Sequence, residues 1–149
     1  MPSRGQETLA AYLALWTDPS PNRDLGRLDA LTLTEVRFKD PIQEIHGRDM
    51  LKRIFADSSR TVADANVVID AIAWADDQRA FVKWCYGGTI LRLNLRGWSV
   101  TGMSDIRLSP DGLITSHEDY WDLAGGLFEH FPLIGWLFRR LRQRLRLEH

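Results

Sequence analysis

Apolar and polar positions change their period four times along this chain. From Glu7 to Trp16 the apolar residues Leu9, Tyr12, Leu13 and Trp16 recur every three or four positions, which predicts a helix. Thr17-Asp-Pro-Ser-Pro-Asn22 ends it, and Asp24 can cap a second short helix with Leu25, Leu28 and Leu31 on one side. Glu35-Val-Arg-Phe-Lys-Asp40 alternates and stops at Pro41, as a short strand does. Gly47 to Asp57 is helical again, with Met50, Leu51, Ile54 and Phe55 inward. Near Asn66 the period drops to two. Val67–Ala75, a turn at Asp76-Asp77 and Arg79–Tyr86 form a hairpin pattern, and Gly87-Gly88 breaks it. Thr89–Leu95, a turn at Arg96-Gly97 and Trp98–Leu108 follow. After Asp122 the helical period returns over Leu123–Phe131, is interrupted at Pro132 and resumes over Leu133–Arg146.

One stretch stands out, Gly112-Leu-Ile-Thr-Ser-His-Glu-Asp-Tyr-Trp-Asp122, which follows the turn signal Ser109-Pro110-Asp111-Gly112. Its β-formers predict a strand. Alternation puts His117, Asp119 and Trp121 on one face, and Glu118, Tyr120 and Asp122 on the other. Both faces carry carboxylates, whereas a surface strand needs only one charged face. This strand therefore reads as the wall of a pocket, with His117 and Asp119 turned inward.

Helices followed by long antiparallel strands give an α+β order, helices packed on one face of a curved sheet. At 149 residues and 44% hydrophobic content the chain reads as one domain, 1–146. Leu147-Glu148-His149 resembles the start of an expression tag. A net charge of −1 argues against a generic nucleic-acid binder. The lone Cys85 cannot form an internal disulfide and reads as a buried strand residue. No apolar run reaches the length of a membrane span and the N-terminus lacks a signal-peptide centre, so the expectation is a cytoplasmic protein. No further His or Cys stands at ligand spacing from His117 and Asp119, and no Gly-rich phosphate loop is present; neither a metal nor a cofactor is expected.

Four motifs, Phe38-x-Asp40-Pro41, His46-Gly47-Arg48-Asp49, Asp111-Gly112-x-Ile114 and His117-x-Asp119-Tyr120-Trp121-Asp122, resemble the nuclear transport factor 2-like superfamily in order and spacing. The resemblance runs from Glu7 to Asp122, toward the ketosteroid isomerase, limonene-epoxide hydrolase and SnoaL-like polyketide-cyclase branches. It implies a conical fold, with N-terminal helices on a strongly curved antiparallel sheet around a deep, largely apolar pocket, and a homodimer. In the isomerases the general base precedes a proline at the end of the first strand, as Asp40 precedes Pro41, and an oxyanion-hole Tyr lies on the first helix, where Tyr12 falls. The isomerases' protonated Asp falls at Ser104 here. The hydrolases' water-activating Asp matches Asp119, but their partner positions fall at Phe38, Asp40, Trp84 and Tyr86, all of which differ. Epoxide hydrolysis by that machinery is not expected.

The candidate catalytic residues are therefore Asp40, Tyr12, Asp119 and His117, and the candidate ligand contacts are Trp16, Phe38, Trp84, Tyr86, Ser104 and Trp121. Each has a plainer reading. Asp40 can shape a turn; Tyr12 and the tryptophans can be core; His117 and Asp119 can be a structural pair. The arginine-rich last helix, with Leu133, Trp136, Leu137, Leu141 and Leu145, reads by default as packed on its own domain. Covering the pocket mouth, meeting a second subunit or lying on an anionic membrane are the less favoured readings. The expected function is acid–base chemistry on a small apolar molecule (isomerisation, cyclisation or water addition), with non-catalytic ligand or partner binding as the alternative.

Overall fold

The computed structural model describes residues 1–147. The tag read at 147–149 lies outside them except for Leu147. Helix α1 (Arg4–Thr17) starts where Ser3 and Gln6 cap each other, the Ser3 hydroxyl accepting from Gln6 N–H at 3.2 Å and the Gln6 side chain accepting from Ser3 N–H at 2.8 Å. Asp24 caps a 3-10 turn that leads into α2 (Leu28–Leu31). Then come β1 (Thr32–Lys39), β2 (Glu44–His46), α3 (Arg48–Thr61), β3 (Val62–Asp76), β4 (Arg79–Ile90), β5 (Leu95–Leu108), β6 (Ile114–Trp121), α4 (Leu123–Gly126) and α5 (Pro132–Leu145).

The six strands form one sheet in the order β2-β1-β6-β5-β4-β3. Bulges along the β3–β4 pair, between Ala63 and Asn66, Ile69 and Ala71, and Trp74 and Asp76, bend and twist it. The sheet is antiparallel except at one seam: β1 and β6 run parallel, with Phe38 beside His117. Helices α1 and α3 lie against its inner face. Leu9, Tyr12, Leu51, Phe55, Val36, Val82, Ile106 and Ile114 bury there almost completely, each aliphatic side chain contributing roughly 1.5–3 kcal/mol. Arg23 ties the helices at one end, donating to Leu15 O, Asp18 O and Phe55 O while its guanidinium lies 5.0 Å from the Phe55 ring.

Five expectations change. Gly87-Gly88 does not break the strand: β4 continues to Ile90, and Thr89–Leu95 is the end of β4 and a 3-10 turn rather than a separate strand. Gly88, at φ +152°, carries the chain past Val62 and Ala63, where a side chain would collide. Cys85 is exposed, not buried, because it alternates with the inward Trp84. His46, whose place before Gly47 reads as a loop, ends a short strand, and Pro132 begins a helix instead of interrupting one, at the first position where its missing N–H is harmless. Helix α5 does not lay its apolar side on the domain. It touches the preceding turn, Phe128–His130, through Gly135, Phe138, Arg139 and Arg142, while Leu133, Leu137, Leu141 and Leu145 are exposed.

Candidate active site

The alternation of β6 holds. His117 is 4% exposed on the inner face, while Tyr120 is 57% exposed on the outer one. Glu118 also faces outward, within 3.2 Å of Arg37 and 3.8 Å of Lys39. The parallel seam sets Phe38 next to His117, and α1 brings Tyr12 and Trp16 over the same ring. The imidazole thus sits among three aromatic rings, whose centroids lie 5.6 Å (Tyr12), 5.5 Å (Trp16) and 5.0 Å (Phe38) away.

A continuous hydrogen-bond network runs through this shell. The Tyr12 hydroxyl lies 2.8 Å from His117 Nδ1, and His117 Nε2 lies 2.7 Å from Asp119 Oδ1. The indole N–H of Trp84 donates to Ser104 Oγ at 2.8 Å, and the Ser104 hydroxyl donates to the same Asp119 oxygen. His117 Nε2 is also 3.2 Å from Ser104 Oγ. Donor counting assigns one tautomer to a neutral His117. Ser104 receives from Trp84 and gives to Asp119, so Nε2 carries the hydrogen toward the carboxylate and Nδ1 accepts from Tyr12. Every donor in the chain then points toward Asp119.

Burial pushes the Tyr12 phenol far above its usual value; the nearby Trp16 indole lowers it somewhat and the charge of Asp119 raises it further. Tyr12 is therefore a proton holder throughout the physiological range. Burial raises Tyr86 as well, with Arg23 opposing. Trp16 Nε1–H is buried without a hydrogen-bond partner, a donor left over among the described residues.

The other side of Asp119 meets the surface. An open depression of about 490 Å³ lies where β1 and β6 end, lined by Lys39, Asp40, Pro41, Glu118, Asp119, Tyr120 and Trp121. Asp119 Oδ1 is held by the network and Oδ2 has no partner among the described residues. The carboxylate is thus anchored at one oxygen, and its side chain is 16% exposed. The region between α1, α3 and the inner sheet, where the resemblance implies a deep cavity, is occupied by the packed rings of Tyr12, Trp16, Phe38 and Phe55.

The candidates divide by place. Tyr12, His117, Asp119, Ser104 and Trp84 form one connected unit, and Trp16 and Phe38 wall it. Trp121 lines the depression and lies edge-on to Trp98, which in turn sits edge-on to Tyr86. Asp40 reaches the same depression, but its Oδ1 accepts from Ile42 N–H at 2.7 Å and Gln43 N–H at 2.8 Å, holding the turn between β1 and β2. Ser104 and Trp84 are relay members rather than surface contacts. Gly102 allows this: the Trp84 ring lies against it, and any side chain at that position would strike the indole. No sequence signal pointed to that contact, or to the Arg23 clamp.

The model of the SnoaL-like domain family matches residues 9–117. No curated protein matches the sequence. Among solved structures, a steroid delta-isomerase from Pseudomonas aeruginosa is 21% identical, with a TM-score of 0.64, covering 97% of this chain and 96% of that one. An epoxide hydrolase/cyclase-like enzyme, SalBIII, acting in pyran ring formation in the polyether salinomycin, is 16% identical with a TM-score of 0.66, over 80% and 92% of the two chains. A protein with a ketosteroid isomerase-like fold from Catenulispora acidiphila, solved in complex with trimethylamine, is 24% identical with a TM-score of 0.67, over 81% and 89%. At these identities the likeness is one of fold.

Proposed function

The chain belongs to the SnoaL-like domain family, and on that footing we propose that it is a cofactor-independent acid–base enzyme, an isomerase, cyclase or water-adding hydrolase, acting on a small apolar carbonyl or polycyclic compound. The observation that carries this reading is the state of Asp119: one oxygen is held by His117 and Ser104, the other has no partner among the described residues, and the residue lines an open depression. A carboxylate so held can take a proton from a carbon beside a carbonyl, or from a water, without first reorganising. His117 steadies the charge on the accepting carboxylate, and Tyr12 fixes the imidazole tautomer. Asp40 stands at the same mouth with Oδ1 held by two backbone amides of its own turn, so we assign it to shaping that turn, and the paired variants below separate the two carboxylates. Pairing of two chains across the outer face of the sheet, where Val68, Met103 and Tyr120 are exposed, belongs to the same reading; light scattering should return the dimer mass.

The test is a screen of enones and epoxides, followed by Asp119→Asn and Asp40→Asn on any compound turned over. Asp119→Asn should lower turnover by about 10²–10⁴ while ligand binding survives, and Asp40→Asn should change it little. Unaltered turnover in Asp119→Asn would end the assignment. A second reading, a binding domain without chemistry, draws on the completeness of the network: Tyr12 is 0% exposed and its hydroxyl is satisfied inside the chain. Compounds that bind at the depression, with none converted, would favour it.

A further inference from the structure

Helix α5 is packed the opposite way from a helix of an ordinary domain. Gly135, Phe138, Arg139 and Arg142 face the turn at 128–130 that precedes the helix: Gly135 abuts the Glu129 backbone, Phe138 lies 5.7 Å from the Phe128 ring, Arg139 donates to Glu129 O at 2.7 Å, and Arg142 pairs with Glu129. The other side carries Leu133, Leu137, Leu141 and Leu145, spaced four apart, with Ile134 beside them, and all are exposed. A row of Trp136, Arg140 and Arg144 borders this stripe, with the Arg140 guanidinium 5.4 Å from the Trp136 ring. Residues 132–146 contain five arginines and no acid. Before Pro132 the chain has 14 Lys and Arg against 19 Asp and Glu, a net −5, so the positive charge is concentrated on this one element.

We propose that α5 is an interfacial anchor that docks the protein on a lipid bilayer containing anionic headgroups. An apolar stripe flanked by arginines and a tryptophan matches the layering of such a surface: leucines among the acyl chains, the indole at the boundary, guanidiniums on phosphates. A second copy of the stripe is a poorer occupant, because the pairing would set the Arg140 and Arg144 rows of two helices close together with no acid between them. No helix among the described residues is long and apolar enough to cross a membrane, so the mode is lying on the surface. Arg142 also comes within 3.7 Å of Asp122, the residue after Trp121 of the depression. The docking does not depend on that site's chemistry.

The experiment is flotation of the full chain with vesicles of phosphatidylcholine alone or with added phosphatidylglycerol. Binding should require phosphatidylglycerol and weaken with salt. Leu137→Glu with Leu141→Glu should abolish it, and since both sites are exposed, the fold and the mass by light scattering should stay those of the parent. Arg140→Gln with Arg144→Gln should weaken it about fivefold per arginine, and the Lys pair should restore most of it. No binding by the parent, or equal binding to both vesicle types, overturns the proposal. A leucine variant that instead changes the parent's mass also overturns it, in favour of a second copy.

Discussion

Strand β6 presents two carboxylates one residue apart, and the sheet gives them opposite circumstances. Glu118 lies on the outer face between Arg37 and Lys39, in contact with water on a surface where such pairs are worth at most about 1 kcal/mol. Asp119 lies on the inner face, where its partners are a buried imidazole and a buried hydroxyl that have no water to turn to. What separates them is the cost of removing each: a lost surface ion pair is replaced by solvent, whereas a lost acceptor inside the cone strands its donors.

Truncating the inner carboxylate should have the largest effect. Asp119→Ala leaves the Ser104 hydroxyl and the His117 N–H without an acceptor and should cost about 1–3 kcal/mol for each in urea unfolding. If it costs no more than Glu118→Ala, the contrast between the faces collapses. Tyr12→Phe comes next, at about 1 kcal/mol, from the bond to His117 Nδ1. The same variant sharpens the contrast through pH. The folded state holds the Tyr12 proton above the usual value of 10, so the unfolded chain releases it first and stability, intact below pH 10, falls as pH rises beyond it. Tyr12→Phe should flatten part of that alkaline loss, and phenolate absorbance from Tyr12 should appear only with unfolding. The smallest effect belongs to Glu118→Gln, within about 0.5 kcal/mol and fading with salt.

The sequence was most legible where a local period met a single demand. Helix α1 and the inward turn of His117 and Asp119 both follow from spacing, because one face of each had to be buried. The seam between β1 and β6 was not legible, since no local pattern records which strand lies beside which. Gly87-Gly88 misled because two glycines read as a break, whereas Gly88 sits where Val62 and Ala63 leave room for nothing larger. The Asp-Pro resemblance marked Asp40, which does line the depression, but the amides of Ile42 and Gln43 that hold its Oδ1 belong to a turn whose shape the residues alone left open. For α5, the apolar period gave the helix correctly and the side it would bury incorrectly, because period says nothing about what covers a stripe.

The parallel seam also sets a timetable. Phe38 and His117 are adjacent in the sheet yet 79 residues apart in the chain (38 to 117), and the Tyr12 hydroxyl waits for a ring 105 residues downstream. At a synthesis rate of about 5–20 residues per second, β1 leaves the ribosome about 4–16 s before its neighbour exists. During that interval the strand has an unpaired edge and α1 has no floor, so the nascent N-terminal third is the part most exposed to misassociation. The network around His117 can close only after nearly the whole chain has emerged. Its assembly therefore reports completed folding, and a ribosome stalled before β6 would leave a chain with α1–α3 and two separate strand groups, β1–β2 and β3–β5, but no site.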